Sequence, residues 1–227
     1  LETGIVVTSL PAVIIVVSKT GEEVMQKRSK NTCTRDDLVK LRFSDTLKKM
    51  AEKKPLSGIS VSALVKASGM SRSTFYYHFI DLFDLINWTA ENEIFRPLGE
   101  FIRDREFGWH GITGYCLSVM YKNQNFYTQA VAMSGQNCLR DYLYRRNQDM
   151  WELLIHKYLE HMGIEVDPER LSFMVEYTSQ SIAGMTVTWA LEGMKTPVDQ
   201  LAVMDDLATM GIYGTLKKNS ETPAGEE

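Results

Sequence analysis

Residues Ile59–Phe79 read ISVSALVKASGMSRSTFYYHF, and the spacing inside this stretch decides the fold. Ser60 stands where a helix N-cap belongs, with Val61, Leu64 and Val65 on one face of the helix that follows. Gly69 supplies a turn, and Ser71 can cap a second helix. Phe75 and Phe79, four apart, point to one side of that helix and anchor it, which leaves Arg72, Ser73, Tyr76 and Tyr77 on the other. Two short helices joined at a glycine make a helix-turn-helix, with the second as the reading element. The outward side chains suit DNA. Arginine forks onto guanine O6 and N7, hydroxyls donate to phosphates or base edges, and a helix N-terminus favours phosphate. A plain αα-corner whose surface tyrosines cap a core fits the same pattern.

The charge distribution bears on the DNA reading. The 227-residue chain has a net charge of −4. Residues 25–90 carry 12 basic and 6 acidic side chains, whereas residues 91–227 carry 12 and 20. A basic third joined to an acidic remainder is the balance of a polyanion-binding module attached to something else.

Working outward toward the N-terminus, Thr34 precedes RDDLVKLRFSDTLKKMAEKK with Asp37 three residues on, which predicts a capped helix from about Arg35 to Lys53. Leu38, Leu41, Leu47 and Met50, with Phe43 and Ala51 nearby, approximate one apolar face, and Pro55 and Gly58 end the segment. The apolar run Ile5–Val17 is short for a membrane span, is broken by Pro11 and has no basic region before it, so neither a signal peptide nor a transmembrane helix is expected. Residues 1–24 read as an upstream extension dispensable for function, non-native or disordered.

The run ISVSALVKASGMSRSTFYYHFIDLFDLI, Ile59–Ile86, closely resembles the DNA-binding domain of TetR-family transcriptional regulators, down to the trailing Phe-x-x-x-x-Asp-Leu. The likeness covers about Leu38 to Trp88. It implies a three-helix head, a fourth helix linking it to an all-α ligand-binding and dimerisation domain, and repression relieved by a small molecule. By position, the resemblance assigns Ser71, Arg72, Ser73, Thr74, Tyr76, Tyr77 and His78 to the reading-helix contacts, with Tyr76 and His78 on phosphate. Ser60 and Ser62 fall at the backbone-facing end of the preceding helix. One position departs from the pattern. Where family members often carry a phosphate-binding lysine at the start of helix four, this chain has Leu82, so that contact is either missing or replaced by Lys53, Lys54 or the segment Lys27–Lys30. One lost contact flattens the salt dependence of binding by about one ion.

Downstream, three helices are predicted, broken near Asn123–Asn125 and Gly135–Asn137 and ended by Gly163. Asp167-Pro168 opens a helix to about Gly193, and Pro197 opens a last one to about Leu216. Ser181–Met204 resembles the dimerising helix pair of several TetR branches. The small residues Ala183 and Gly184 permit close backbone approach there, and Val187, Leu191, Leu201 and Met204 complete the expected interface, although a core helix within one subunit has the same small residues. FGWHGITGYCLSVMYKNQNFYTQAV is similar, more faintly, to the C-terminal region of the branch that includes activators of dihydroxyacetone-kinase operons, which implies a protein or a sugar-like metabolite as the acting partner. An effector pocket lined by rings and methionines is expected among Trp109, Tyr115, Met120, Tyr127, Met133, Trp151, Tyr177 and Met185, each equally at home in a bundle core.

No cofactor or metal is expected: His156 and His161 are five apart and diverge around a helix, and His78 and His110 lack ligand-type neighbours at suitable spacing. Cys33, Cys116 and Cys138 form no CxxC pattern, so reduced thiols in a cytoplasm are the plain reading. Nucleophile elbow, P-loop and dinucleotide motifs are absent, so an enzyme is not expected. The sequence therefore predicts an all-α protein: a leader 1–24, a helix-turn-helix head 25–81, a ligand-binding and dimerisation bundle 82–217, and a disordered tail 218–227. The function expected is a homodimeric, effector-responsive repressor of a palindromic DNA site, in which the effector tilts helix four, about Leu82 to Phe95. The alternative is a module of the same fold that has lost specific DNA recognition and acts through a protein or ligand.

Overall fold

The computed structural model describes residues 34–104, 112–204 and 211. The leader, Lys27–Lys30, Trp109, the tail and most of the expected last helix lie outside the described residues. Among those residues every regular element is helical.

Helix α1, Arg35–Ala51, begins as read. Thr34 Oγ1 accepts from the Asp37 amide at 3.1 Å and Asp37 Oδ2 accepts from the Thr34 amide at 3.1 Å, a reciprocal cap that satisfies two otherwise orphan donors. Its buried stripe differs from the expected one. Phe43, Leu47 and Ala51, spaced by four, are buried, while Leu38 is 60% exposed and Leu41 and Met50 line a shallow surface groove with Arg42, Lys49 and Lys53. Phe43 sets the helical phase because it meets the ring of Phe75.

After the tight turn Leu56–Gly58, helix α2, Val61–Ser68, is capped by Ser60, whose Oγ accepts from the Ala63 amide at 3.2 Å. Gly69 ends it at φ +69°, a left-handed conformation that suits glycine, and Arg42 Nε caps the helix by donating to the Ser68 carbonyl at 2.9 Å. Helix α3, Arg72–His78, is capped by Ser71 and followed by α4, Leu82–Ala90, capped by Asp81. The head closes on an aromatic wedge. Phe75 and Phe79 are buried, with ring centroids of Phe43 and Phe75 5.4 Å apart and nearly perpendicular, and Trp88 of α4 lies 6.0 Å from Phe79.

The linking helix does not stop at Phe95. It passes through a π-helical turn, Glu91–Phe95, into α5, Arg96–Asp104. Pro97 explains the turn: it has no N–H to give the Glu93 carbonyl, the Arg96 amide bonds Glu91 instead, and the Glu93 carbonyl accepts from the Tyr115 hydroxyl at 3.0 Å.

The body is built from α6, Ile112–Lys122, α7, Gln124–Ala132, and the long pair α8, Leu139–Met162, and α9, Pro168–Leu191. Gly163 ends α8 at φ +62° and Asp167 caps α9 with Pro168 at its first position, so the two long helices pack along each other through a short connection. Residues 198–204 continue as helix, held by Trp189 Nε1 donating to the Thr196 carbonyl at 2.9 Å. Among the described residues no helix is long and apolar enough to cross a membrane.

Candidate nucleic-acid interface

Helix α3 is two turns long, with an inward side set by Phe75 and Phe79, and its outward side carries chemistry. Arg72 is exposed, its guanidinium carbon 5.5 Å from the centroid of the Tyr76 ring, so the ring pre-orients the cation four residues back. Tyr77 is 79% exposed and Tyr76 49%. Ser71 Oγ lies 2.7 Å from both Ser73 Oγ and Thr74 Oγ1, which groups three hydroxyls at the helix N-terminus beside the Arg72 side chain. Ser60 and Ser62 are exposed at the start of α2.

His78 departs from the expected outward set. Its side chain is only 6% exposed, packed edge-on to Tyr77 at 4.8 Å and facing Asp36 at 4.0 Å, so it supports the reading helix from behind. At the start of α4 no basic residue takes the place occupied by Leu82. Asp81 accepts from the Asp84 amide at 2.8 Å and Asp84 accepts from the Ile80 amide at 2.9 Å, so carboxylates already occupy the helix-start donors. Beside them Ile80 is 82% exposed, next to Tyr77. Lys53 and Lys54 are exposed at the end of α1 and remain available to an anion.

Between head and body lies a second polar centre that the sequence reading missed. Lys48 of α1 pairs with Glu93 of the π-turn, Glu93 Oε2 accepts from the Tyr127 hydroxyl at 2.8 Å, and Asn123 Nδ2 lies 3.5 Å away. Burial pushes the Tyr127 hydroxyl well above its ordinary range, reinforced by the Glu93 charge. Burial alone would depress Lys48, but Glu93 and Asp45 overcome it and its pKa is raised. Two residues earlier, Glu91 accepts from Arg146 Nε at 2.9 Å, Arg146 Nη2 at 3.1 Å and the Tyr142 hydroxyl at 2.6 Å, locking the same turn to α8. The cue in the sequence was Pro97 inside a helical pattern, which marks the π-turn that carries the Glu91 and Glu93 carboxylates.

The expected effector-pocket residues separate. Met120 and Trp151 line a small, partly enclosed cavity of about 40 Å³ between the π-turn and α8 and α9, with Ile94, Phe95, Cys116 and Asn147. That volume holds a water or two, and no formally charged side chain lines it. Tyr115 and Tyr127 are buried but direct their hydroxyls to Glu93, and Met133 and Met185 are half-buried. Tyr177 lies elsewhere. It is 53% exposed on the outer face of α9, its ring stacked on Phe173 at 6.0 Å.

The expected interface residues divide as well. Ala183, Val187 and Leu201 are buried within the subunit, whereas Gly184 is half-buried, and a side chain there would be in ordinary contact with the Tyr144 hydroxyl of α8 at 3.5 Å. Leu191 and Met204 are exposed, and the outward arc of α9 runs through Phe173, Tyr177, Thr188 and Leu191.

Residues 108–206 match a TetR C-terminal family model described as "Transcriptional regulator C-terminal region". Among solved structures, "Dihydroxyacetone kinase operon activator DhaS" aligns with a TM-score of 0.60 and 20% identity, over 77% of this chain and 97% of that one. At that identity the likeness shows the fold. No curated protein matches the chain. The family-model match bears out the resemblance to TetR-family transcriptional regulators over the C-terminal part of the chain, and the solved structure bears out the fold.

Proposed function

We propose that this TetR-family regulator is a homodimeric, effector-responsive repressor that reads a palindromic operator with two copies of α3. The observation that carries the reading is the two-sided character of α3: two buried phenylalanines hold it while Arg72, Ser73, Tyr76 and Tyr77 face outward. Arg72 forks onto a guanine edge in the major groove. Ser71, Ser73 and Thr74 donate to phosphates or bases, and Tyr76 and Tyr77 reach phosphate oxygens. Ser60 and Ser62 seat the start of α2 on the backbone. His78 positions the helix.

The head extends to Asp81 and the body from Leu82 onward. Two bodies pair along the outward arc of α9, which sets the reading helices about 34 Å apart, one turn of DNA. The effector enlarges the small cavity behind the π-turn as it enters, is uncharged as the lining is, and binds the non-reading state more tightly. The protein works in the cytoplasm.

Binding of the purified protein to a labelled fragment from upstream of its own gene, across a salt series and beside Arg72→Ala, tests this. Salt-steep binding that depends on Arg72 is the expected result. A second reading rests on Asp81 and Asp84 at the start of α4, which repel phosphate where the family usually attracts it: a protein-partner module of the same fold. Weak binding indifferent to Arg72 would select that module instead.

A further inference from the structure

We infer that Gln129 is the positioning residue that sets the orientation of the head against the body. Its amide crosses from α7 to the corner between α1 and α2. Oε1 accepts from the Leu56 amide at 2.7 Å and Nε2 donates to the Ala51 carbonyl at 3.0 Å. The inference rests on the regulator reading, because it names the joint through which the body controls the head.

The chemistry is specific to an amide. Ala51 ends α1, so its carbonyl is among those left without a partner in the helix, and Leu56 opens the next turn. Serving one carbonyl and one N–H with a single side chain needs a donor and an acceptor at fixed separation, which a primary amide has; a carboxylate lacks the donor and an ammonium the acceptor. The two anchors bracket residues 52–55, the turn that leads α1 into α2 and thereby aims α3. Held from the body, that corner cannot rotate freely.

A second tie leaves the same helix. Tyr127, two residues before Gln129, holds Glu93, and Glu93 holds Lys48 of α1. Ile94 and Phe95, the next two residues of the π-turn, line the small cavity beside α8 and α9. A change in the shape of that cavity therefore reaches the head through α7 as well as along α4.

The test compares the full-length wild type with Gln129→Met, which keeps the length and loses both bonds, and Gln129→Glu, which keeps only the acceptor. Three quantities are measured: hydrogen exchange of the Leu56 amide, the distance distribution between spin labels at Lys66→Cys in the head and Glu160→Cys in the body with native cysteines changed to serine, and affinity for the upstream fragment. Gln129→Met should speed Leu56 exchange at least tenfold, broaden the label distances, and change DNA affinity fivefold or more at an unchanged salt slope. The slope is the discriminating readout, since removing a phosphate contact would lower it and moving the head does not. Gln129→Glu should keep Leu56 protected while broadening the distances, and it serves if the methionine variant fails to fold. Unchanged label distances in both variants would overturn the inference. If the wild type binds no DNA the regulator reading fails, and the clamp is still judged by exchange and distance.

Discussion

Lys48 of the first helix and Glu93 of the π-turn form an ion pair that ties the head to the linking helix where that helix changes hydrogen-bond register. Each side chain is 18% exposed, so the pair is largely withdrawn from water. Glu93→Leu would leave a mostly buried ammonium with only the exposed Asp45, 3.2 Å away, and would take the acceptor from the Tyr127 hydroxyl. Removing one partner of a fully buried pair costs about 3–5 kcal/mol, and the remaining exposure reduces this to about 2–3. Lys48→Met leaves Glu93 with its tyrosine and asparagine donors and should cost less. Urea denaturation of both variants measures the difference; equal costs would show that the tyrosine contributes nothing to holding the carboxylate.

Phe75→Ala and Tyr77→Ala separate support from contact on one helix. Phe75 is fully buried against Phe43 and Phe79, and its truncation should cost about 3–5 kcal/mol with loss of DNA binding through an unfolded head. Tyr77 is largely exposed, so its truncation should leave stability within about 0.5 kcal/mol while weakening DNA binding. Thermal unfolding and fragment binding on the same preparations give both readings. A destabilised Tyr77→Ala would mean that its ring, packed on His78, is structural.

Acid stability should carry a contribution from Asp37. The Thr34 amide, with smaller help from the Thr34 hydroxyl, Arg96 and Lys40, holds its carboxyl below the ordinary aspartate value of 3.8. A group whose pKa is lower folded than unfolded stabilises the fold above its unfolded pKa, and that stability is lost as pH falls through the folded one. Helix α1 should therefore lose stability below about pH 4. Asp37→Asn should be less stable than wild type at pH 7 and should converge on it toward pH 2, measured by denaturant midpoint at each pH. A constant difference across that range would contradict the assignment.

Signals that act over three or four residues were legible in the sequence. Thr34 with Asp37, the serine caps at 60 and 71, and the glycines at 69 and 163 each place a helix end by satisfying backbone groups nearby. The buried side of α3 followed from the four-residue spacing of its phenylalanines. The seam between head and body could not be read that way: Gln129 meets partners 73 and 78 positions away and Glu93 meets Lys48 45 positions away. Nor could the facing of α9. Ala183 and Gly184 mark a close approach without saying to which neighbour: Ala183 is buried within the subunit, and Gly184 faces Tyr144 of α8 in the same chain.

The proposed homodimer therefore stands on a different set of α9 side chains from the small residues. Phe173 and Tyr177 are stacked and exposed one turn apart, Leu191 is 48% exposed toward the other end of the helix, and Met204 is 54% exposed beyond it. Phe173→Asp with Tyr177→Asp would place two charges on an apolar contact without disturbing the core, because neither ring is buried in the subunit. The double variant should be monomeric by light scattering with unchanged helix content. Its affinity for a palindromic fragment should fall by about 10²-fold or more, since each half-site then binds without the effective concentration supplied by its twin. Val187→Asp makes the contrast: burying a charge at a 5% exposed position should unfold the body before it reports on assembly. A double aspartate variant that stays dimeric would move the interface off this arc and onto another face of the body.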